Sequence, residues 1–340
     1  MIYLWMMTKK LVVHIGLPKT ATTSLQKQFF PQVAGYLGKK YSGGLHVKSQ
    51  LENPGEVFSE FEEIQNAHSQ GQDWAARLAD WVDNLDFSEQ PVQIISHEGL
   101  ARWRSPPKVD ASSWPGQRAH QEDVPRRGAH PVTVFLAKLR DFLPPGVSLF
   151  TIVTLRNQAD FLGSLAAQTT GQAAVIERVT QSEDSYVDFF SLVTELEKVI
   201  GPSQHLTLLF EDGVERNSKN IVDFAGLTPL KEGFNFEFGE PQNVRKKGNN
   251  TWRWHRKPRY SRSGVFRGLR RVILRRFPRL VPALREANRF VHRTLVAVDG
   301  AFRQQISISD ADRLRLKVYC APSNERLAEH LKRDLISLGY

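Results

Sequence analysis

Hydroxyl and cationic side chains crowd one short stretch, "GLPKTATTS", residues 16–24. It follows the apolar run "LVVHI" and precedes a helical pattern, so it reads as a strand, a tight turn and the start of a helix. Such a turn offers N–H groups and the positive end of a helix dipole to an anion. Thr20, Thr22, Thr23 and Ser24 add hydroxyl donors and Lys19 a mobile charge, which together are phosphate-binding chemistry. The spacing departs from the nucleoside-triphosphate loop G-x-x-x-x-G-K-[ST]. Lys19 lies three residues after Gly16 and no second Gly precedes it. A metal–ATP site is therefore poorly supported.

"HIGLPKTATTSLQ" resembles the 5′-phosphosulfate loop of sulfotransferases that use 3′-phosphoadenosine 5′-phosphosulfate (PAPS), commonly P-K-[TS]-G-[TS]-T. Ala21 stands where that loop usually has Gly, a departure that adds one methyl beside the phosphate. The resemblance implies that Lys19 and the backbone and hydroxyls of Thr20, Ala21, Thr22, Thr23 and Ser24 hold the 5′-phosphate. Lys19 would also neutralise charge on the bridging oxygen as the sulfuryl group leaves. "TLRNQADFLGS" is similar to the family's 3′-phosphate site, with Arg156 at a strand end and Ser164 eight residues later. Arg presents a planar fork to a phosphate, and a hydroxyl one turn into the next helix reaches the same group. Gln158 replaces the proline of the usual R-N-P pattern.

In "IISHEGL", Glu98 occupies the place where the resemblance puts a Glu or His that takes the acceptor's proton. Glu98 is the first choice for this base and His97 the second, since neighbouring residues leaving a strand point in different directions. "NVRKKG" looks like the family's late basic loop, making Arg245, Lys246, Lys247 and Gly248 further candidates for the 3′-phosphate. "LLFEDG" also resembles the family, with Glu211 and Asp212 expected to order the following helix. The C-terminal stretch resembles that of bacterial-type members and is expected to close the domain, with Asn324 near the site.

The elements that must position these residues are legible as a pattern. Short apolar runs at 11–16, 92–98, 149–156 and 205–211 read as buried strands. Helical patterns lie near 22–33, 74–85, 131–143, 158–169, 185–200 and 217–226, and the last 31 residues look helical around a break at Pro322. Alternation of this kind predicts an α/β fold with a central, mostly parallel sheet flanked by helices. The resemblance makes it a three-layer P-loop NTPase-like fold. Ligands of such sheets bind beyond the strands' carboxyl ends, where the three candidate loops lie. One domain over 8–340 is expected, with a long Pro- and Gly-rich excursion near 101–130 and a basic helical insertion near 250–305.

Composition sets outer bounds. Of 46 Lys and Arg and 36 Asp and Glu, 17 basic residues and only Glu286 fall between Arg245 and Arg293, leaving 29 basic and 35 acidic elsewhere. A mildly acidic body thus carries one intensely basic segment. Within it, "SGVFRGLRRVILRRFPRLV" reads as a basic amphipathic helix suited to an anionic membrane or an acidic glycan; nucleic acid is the less favoured partner. The single cysteine, Cys320, excludes an internal disulfide and a cysteine-rich metal site, as suits a reducing cytoplasm. The opening apolar run Met1–Met7 falls well short of the about 20 residues that span a bilayer. It reads as a short extension, with Met7 as an alternative start. The expected location is cytoplasmic, with peripheral contact to the inner membrane face through the basic helix.

The sequence therefore points to a PAPS-dependent sulfotransferase that needs no metal. The expected acceptor is a hydroxyl of a carbohydrate or glycoconjugate, including acidic glycans. Two other readings stay open: a P-loop small-molecule kinase, or a non-catalytic polyanion- or membrane-binding protein working through residues 245–293.

Overall fold

The computed structural model describes residues 9–17, 20–38, 54–69, 71–88, 90–97, 100, 131–166, 187–230, 251–253, 305–307 and 309–340. Lys19, Glu98, the Arg245–Gly248 loop, the 101–130 excursion and the basic amphipathic helix lie outside them.

Four strands form one parallel sheet in the order β2-β1-β3-β4. They are β1 (Lys9–Gly16), β2 (Val92–His97), β3 (Val147–Leu155) and β4 (His205–Leu209). All four fall where apolar runs predict strands; β1 ends at Gly16 as expected, and the other three end one or two residues earlier. Beyond β4, Phe210–Asp212 turns as a 3-10 helix instead of extending the strand. The helices are α1 (Thr22–Ser24), α2 (Pro54–Ser69), α3 (Ala75–Asp83), α4 (Pro131–Phe142), α5 (Gln158–Ala166), α6 (Phe189–Ile200), α7 (Val214–Ala225) and α8 (Asp310–Leu331). Helix α1 continues through a π turn, Leu25–Phe29, and a 3-10 turn, Phe30–Gln32.

Alternation along β1 divides the core into two layers. Leu11, Val13 and Ile15 face one cluster with Phe61 and Trp81 of α2 and α3, Phe135 of α4, Phe161 of α5, Val193 of α6 and Leu327 of α8. Val12 faces the other, with Leu25, Phe29, Phe30, and Ile221 and Ala225 of α7. The sheet is thus covered on both faces, as a parallel sheet requires. Crossing from α1 to the opposite layer, the chain passes the sheet edge beside β2, where Gly35 adopts a φ of 73°. A Cβ at Gly35 would lie 2.1 Å from the Val92 carbonyl oxygen, so only glycine fits there.

Two elements differ from the sequence expectation. Helix α2 was not anticipated, although Phe58, Phe61 and Ile64 recur at helical spacing and are buried. Helix α8 runs unbroken through Pro322. Proline removes the hydrogen bond to the carbonyl four residues back, here that of Val318, which is exposed and can use water instead. Burial of Cys320, Ser323, Asn324 and Leu327 holds the helix on course.

The flanks of the expected basic insertion, β5 (Thr251–Arg253) and β6 (Gln305–Ser307), pair antiparallel. Among the described residues no helix is long and apolar enough to cross a membrane.

Candidate functional site

The order of the strands creates a crevice. From β1 the chain goes to β2 on one side, whereas from β3 it goes to β4 on the other. The segments after β1 and β3 also leave toward opposite faces, α1 to the Val12 layer and α5 to the Val13 layer. Adjacent strands whose connections diverge in this way leave an opening at their carboxyl ends, the usual ligand position in such sheets. Gly16 pairs with Thr154 in that register, so residues 16–17 and 20–24 form one lip and Arg156 the other.

The first lip is built from backbone geometry and neutral hydroxyls. Ala21 sits in the left-handed region at φ 60° and ψ 14°, and its carbonyl accepts from the N–H groups of Ser24 and Leu25 at 2.8 and 3.1 Å. Left-handed backbone costs a residue with a Cβ about 1–2 kcal/mol. The usual glycine would relieve this, so the departure at Ala21 amounts to more than an extra methyl. The Thr20 hydroxyl donates to the Leu17 carbonyl at 2.7 Å and closes the loop. Its hydrogen is thereby committed, leaving the Thr20 backbone N–H as its donor toward a ligand. Thr22 folds back over the strand end, where a Cβ on Gly16 would lie 2.6 Å from its Oγ1. Thr20, Thr22 and Ser24 are buried, and Thr23 is partly exposed.

Beneath this lip runs a buried polar chain absent from the sequence expectation. Gln26 Nε2 donates to the Ser96 carbonyl at 2.8 Å and to Ser96 Oγ at 3.2 Å. Ser96 Oγ lies 2.7 Å from His14 Nδ1, and His14 Nε2 lies 3.4 Å from Thr154 Oγ1. The direction of both histidine contacts follows the ring's tautomer, with one nitrogen donating and the other accepting. Burial pushes the His14 imidazole down to about 3, so it is neutral. The chain ties the loop helix to β2, β1 and β3 at one level.

The second lip is charged. The Arg156 guanidinium stacks over Phe210 with 4.4 Å between its Cζ and the ring centroid, and lies 4.0 Å from Asp160. Burial lowers the Arg156 pKa, while Asp160, Glu211 and Tyr340 oppose that shift. Arg313 of α8 reaches the other Asp160 oxygen at 3.4 Å. The Asn157 N–H donates to Glu211 at 2.9 Å, and the Tyr340 hydroxyl donates to the same carboxylate at 3.0 Å. Burial raises the pKa of both Glu211 and Tyr340. Asp212 accepts two bonds from Arg333, at 2.7 and 3.1 Å. Glu211 therefore braces the Arg156 turn and the C-terminal segment, while Asp212 lies 4.0 Å from Arg216 of the following helix.

The turn after Arg156 shows what replaces the expected proline. The Asn157 side chain accepts from the Asp160 N–H at 3.1 Å, capping α5, and its amide donates to the Gly339 carbonyl. Gln158 and Asn324 exchange amide hydrogen bonds of 2.7 and 3.3 Å while both are buried. A proline at 158 would have no means of anchoring α8 there. Ser164 is buried on α5, near the end of its second turn and about 9 Å along the axis from Gln158. That is deeper than the one turn expected.

On the far side of β1, His97 pairs with Ile15 in register at the end of β2. It is buried against Phe58 and Phe61, with ring centroids 5.5 and 6.0 Å away. Glu62 Oε1 of α2 lies 3.8 Å from its Nε2.

No protein-family model matches the chain, and no curated protein matches it. Among solved structures, the chain is similar to a sulfotransferase from Alicyclobacillus acidocaldarius, at 12% identity and a TM-score of 0.46. That alignment covers 97% of this chain and 98% of the other.

Proposed function

We propose that the chain is a sulfotransferase that moves a sulfuryl group from PAPS to an acceptor hydroxyl of a carbohydrate or glycoconjugate. One observation carries the reading: a hydroxyl-rich turn and a stacked arginine follow the adjacent parallel strands β1 and β3, where the strand order diverges. The 5′-phosphate lies against the turn, held by Lys19, the backbone of residues 20–24 and the hydroxyls of Thr22, Thr23 and Ser24. Arg156 and Ser164 hold the 3′-phosphate, with Arg245, Lys246, Lys247 and Gly248 as further contacts. The residue types suit two separated anions and require no metal.

In the transfer, the acceptor oxygen forms a bond to sulfur as the bond from sulfur to the bridging oxygen breaks. The acceptor's proton passes to a base at the end of β2, Glu98 or His97, and the departing phosphate keeps the electron pair. Lys19 and the donors of the turn stabilise that charge.

Equilibrium binding tests the reading. The product 3′-phosphoadenosine 5′-phosphate (PAP) is expected to bind in the presence of a chelator, and Lys19→Ala is expected to weaken that binding and slow PAPS turnover. Binding of ATP only with magnesium, with none of PAP, would point to a kinase. Loss of activity on deleting residues 245–293, with Lys19→Ala silent, would point to a polyanion- or membrane-binding protein.

A further inference from the structure

We infer that Glu62 of α2 is a positioning residue that orients His97 as the base of the transfer. The inference rests on the sulfotransferase reading and narrows its choice of base. Its support is a pair of facts about one buried ring. His97 is 4% exposed, and its Nδ1 has no hydrogen-bond partner. A buried polar atom left unpaired is costly and calls for an explanation, and an atom that must receive a proton from a ligand supplies one. The opposite nitrogen, Nε2, faces the Glu62 carboxylate at 3.8 Å.

This arrangement sets the tautomer. A proton on Nε2 is favoured by the carboxylate beside it, which leaves the Nδ1 lone pair open to accept. Glu62 is about half exposed, so it keeps its hydration while the ring is dry. Phe58 and Phe61 fix the plane of the imidazole. When the acceptor hydroxyl gives its proton to Nδ1, the ring becomes an imidazolium, and the Glu62 charge stabilises it without taking the proton.

The placement agrees with the path of the reaction. Along the carboxyl edge of the sheet, Arg156 follows β3, the phosphate loop follows β1, and His97 ends β2. His97 pairs with Ile15, two residues short of Leu17, one strand spacing of about 4.8 Å from β1. The three groups therefore stand in the order of 3′-phosphate, 5′-phosphosulfate and acceptor.

The test uses the full chain, with water as the acceptor, because PAPS hydrolysis to PAP and sulfate needs the same proton removal. His97→Gln is expected to slow PAPS hydrolysis roughly a hundredfold, and Glu62→Gln about tenfold, with PAP affinity unchanged within about twofold. Glu62→Asp should recover part of the loss, and the double variant should be no slower than His97→Gln alone. Long-range proton–nitrogen NMR should show His97 protonated at Nε2 in the wild type and a mixed tautomer in Glu62→Gln, a readout that holds even if His97→Gln folds poorly. A wild-type tautomer protonated at Nδ1, a silent Glu62→Gln, additive effects, or PAP binding without accelerated PAPS hydrolysis would each overturn the inference. Failure to bind PAP at all would instead overturn the sulfotransferase reading beneath it.

Discussion

The two lips of the crevice are made in opposite ways. The lip after β1 is uncharged among its described residues, and its turn is local: a left-handed alanine and three buried hydroxyl residues, seated on a neutral histidine chain that joins three strands. The lip after β3 is charged and assembled from distant parts of the chain. Its contacts join residues 54 apart at Asn157–Glu211, 129 apart at Glu211–Tyr340 and 166 apart at Gln158–Asn324. The first lip is shaped by backbone conformation, whereas the second is held by contacts from the C-terminal segment to Asp160 and Glu211. The geometry of the second lip is thus tied to packing of the C-terminal segment, and that of the first to the conformation of a single turn.

The largest expected effect comes from removing the charge of the second lip. Arg156→Ala should weaken PAP binding by roughly a hundredfold, as loss of a charge-assisted phosphate contact does. Calorimetric titration of the variant against the wild type measures this.

Titration should separate the lips by sign. His14 is held down to about 3 when folded against 6.5 ordinarily, so between those values the unfolded chain binds the proton more readily. Its contribution is full above about pH 6.5 and is lost as pH falls, by up to about 1.4 kcal/mol per pH unit. Glu211 behaves oppositely. Its raised folded pKa favours the folded chain at low pH, and that contribution is lost as pH rises through the folded value. Urea unfolding from about pH 7 to 5 should show stability falling in the wild type and a flatter profile in His14→Gln.

The buried amide pair gives a smaller effect. Asn324→Leu leaves the Gln158 amide unsatisfied and should cost about 1–3 kcal/mol, while Gln158→Leu with Asn324→Leu should recover much of it. Thermal melting of the two variants beside the wild type checks the prediction, and a double variant as unstable as the single would contradict it.

The smallest effect lies in the first lip. Ala21→Gly relieves left-handed strain of about 1–2 kcal/mol and gives back about 0.4–1 kcal/mol in unfolded-chain entropy. A net stabilisation below about 1.5 kcal/mol should appear as a raised unfolding midpoint.

The same contrast explains what the sequence could reveal. The strands and the first lip were legible because their residues are contiguous and their spacing carries the chemistry. Arg156 was legible as a residue after a strand, but its brace was not. Nothing local in "LLFEDG" says that Glu211 reaches Asn157 and Tyr340, and nothing near Asn324 names Gln158 as its partner. His14 reads as one more residue of a buried strand, and its role depends on Ser96 and Thr154 arriving from other strands. Ala21 was visible as a departure from glycine, yet the strain follows from its dihedral angles, which composition does not encode. Helix α2 did carry a signal, the spacing of Phe58, Phe61 and Ile64, and with it came Glu62.

The crevice between β1 and β3 is expected to bind a 3′,5′-bisphosphorylated adenosine without metal. Calorimetric titration with PAP in the presence of a chelator tests it most directly. Saturable one-to-one binding that Lys19→Ala and Arg156→Ala each weaken is the expected result. Absence of PAP binding, together with magnesium-dependent binding of ATP, would contradict it.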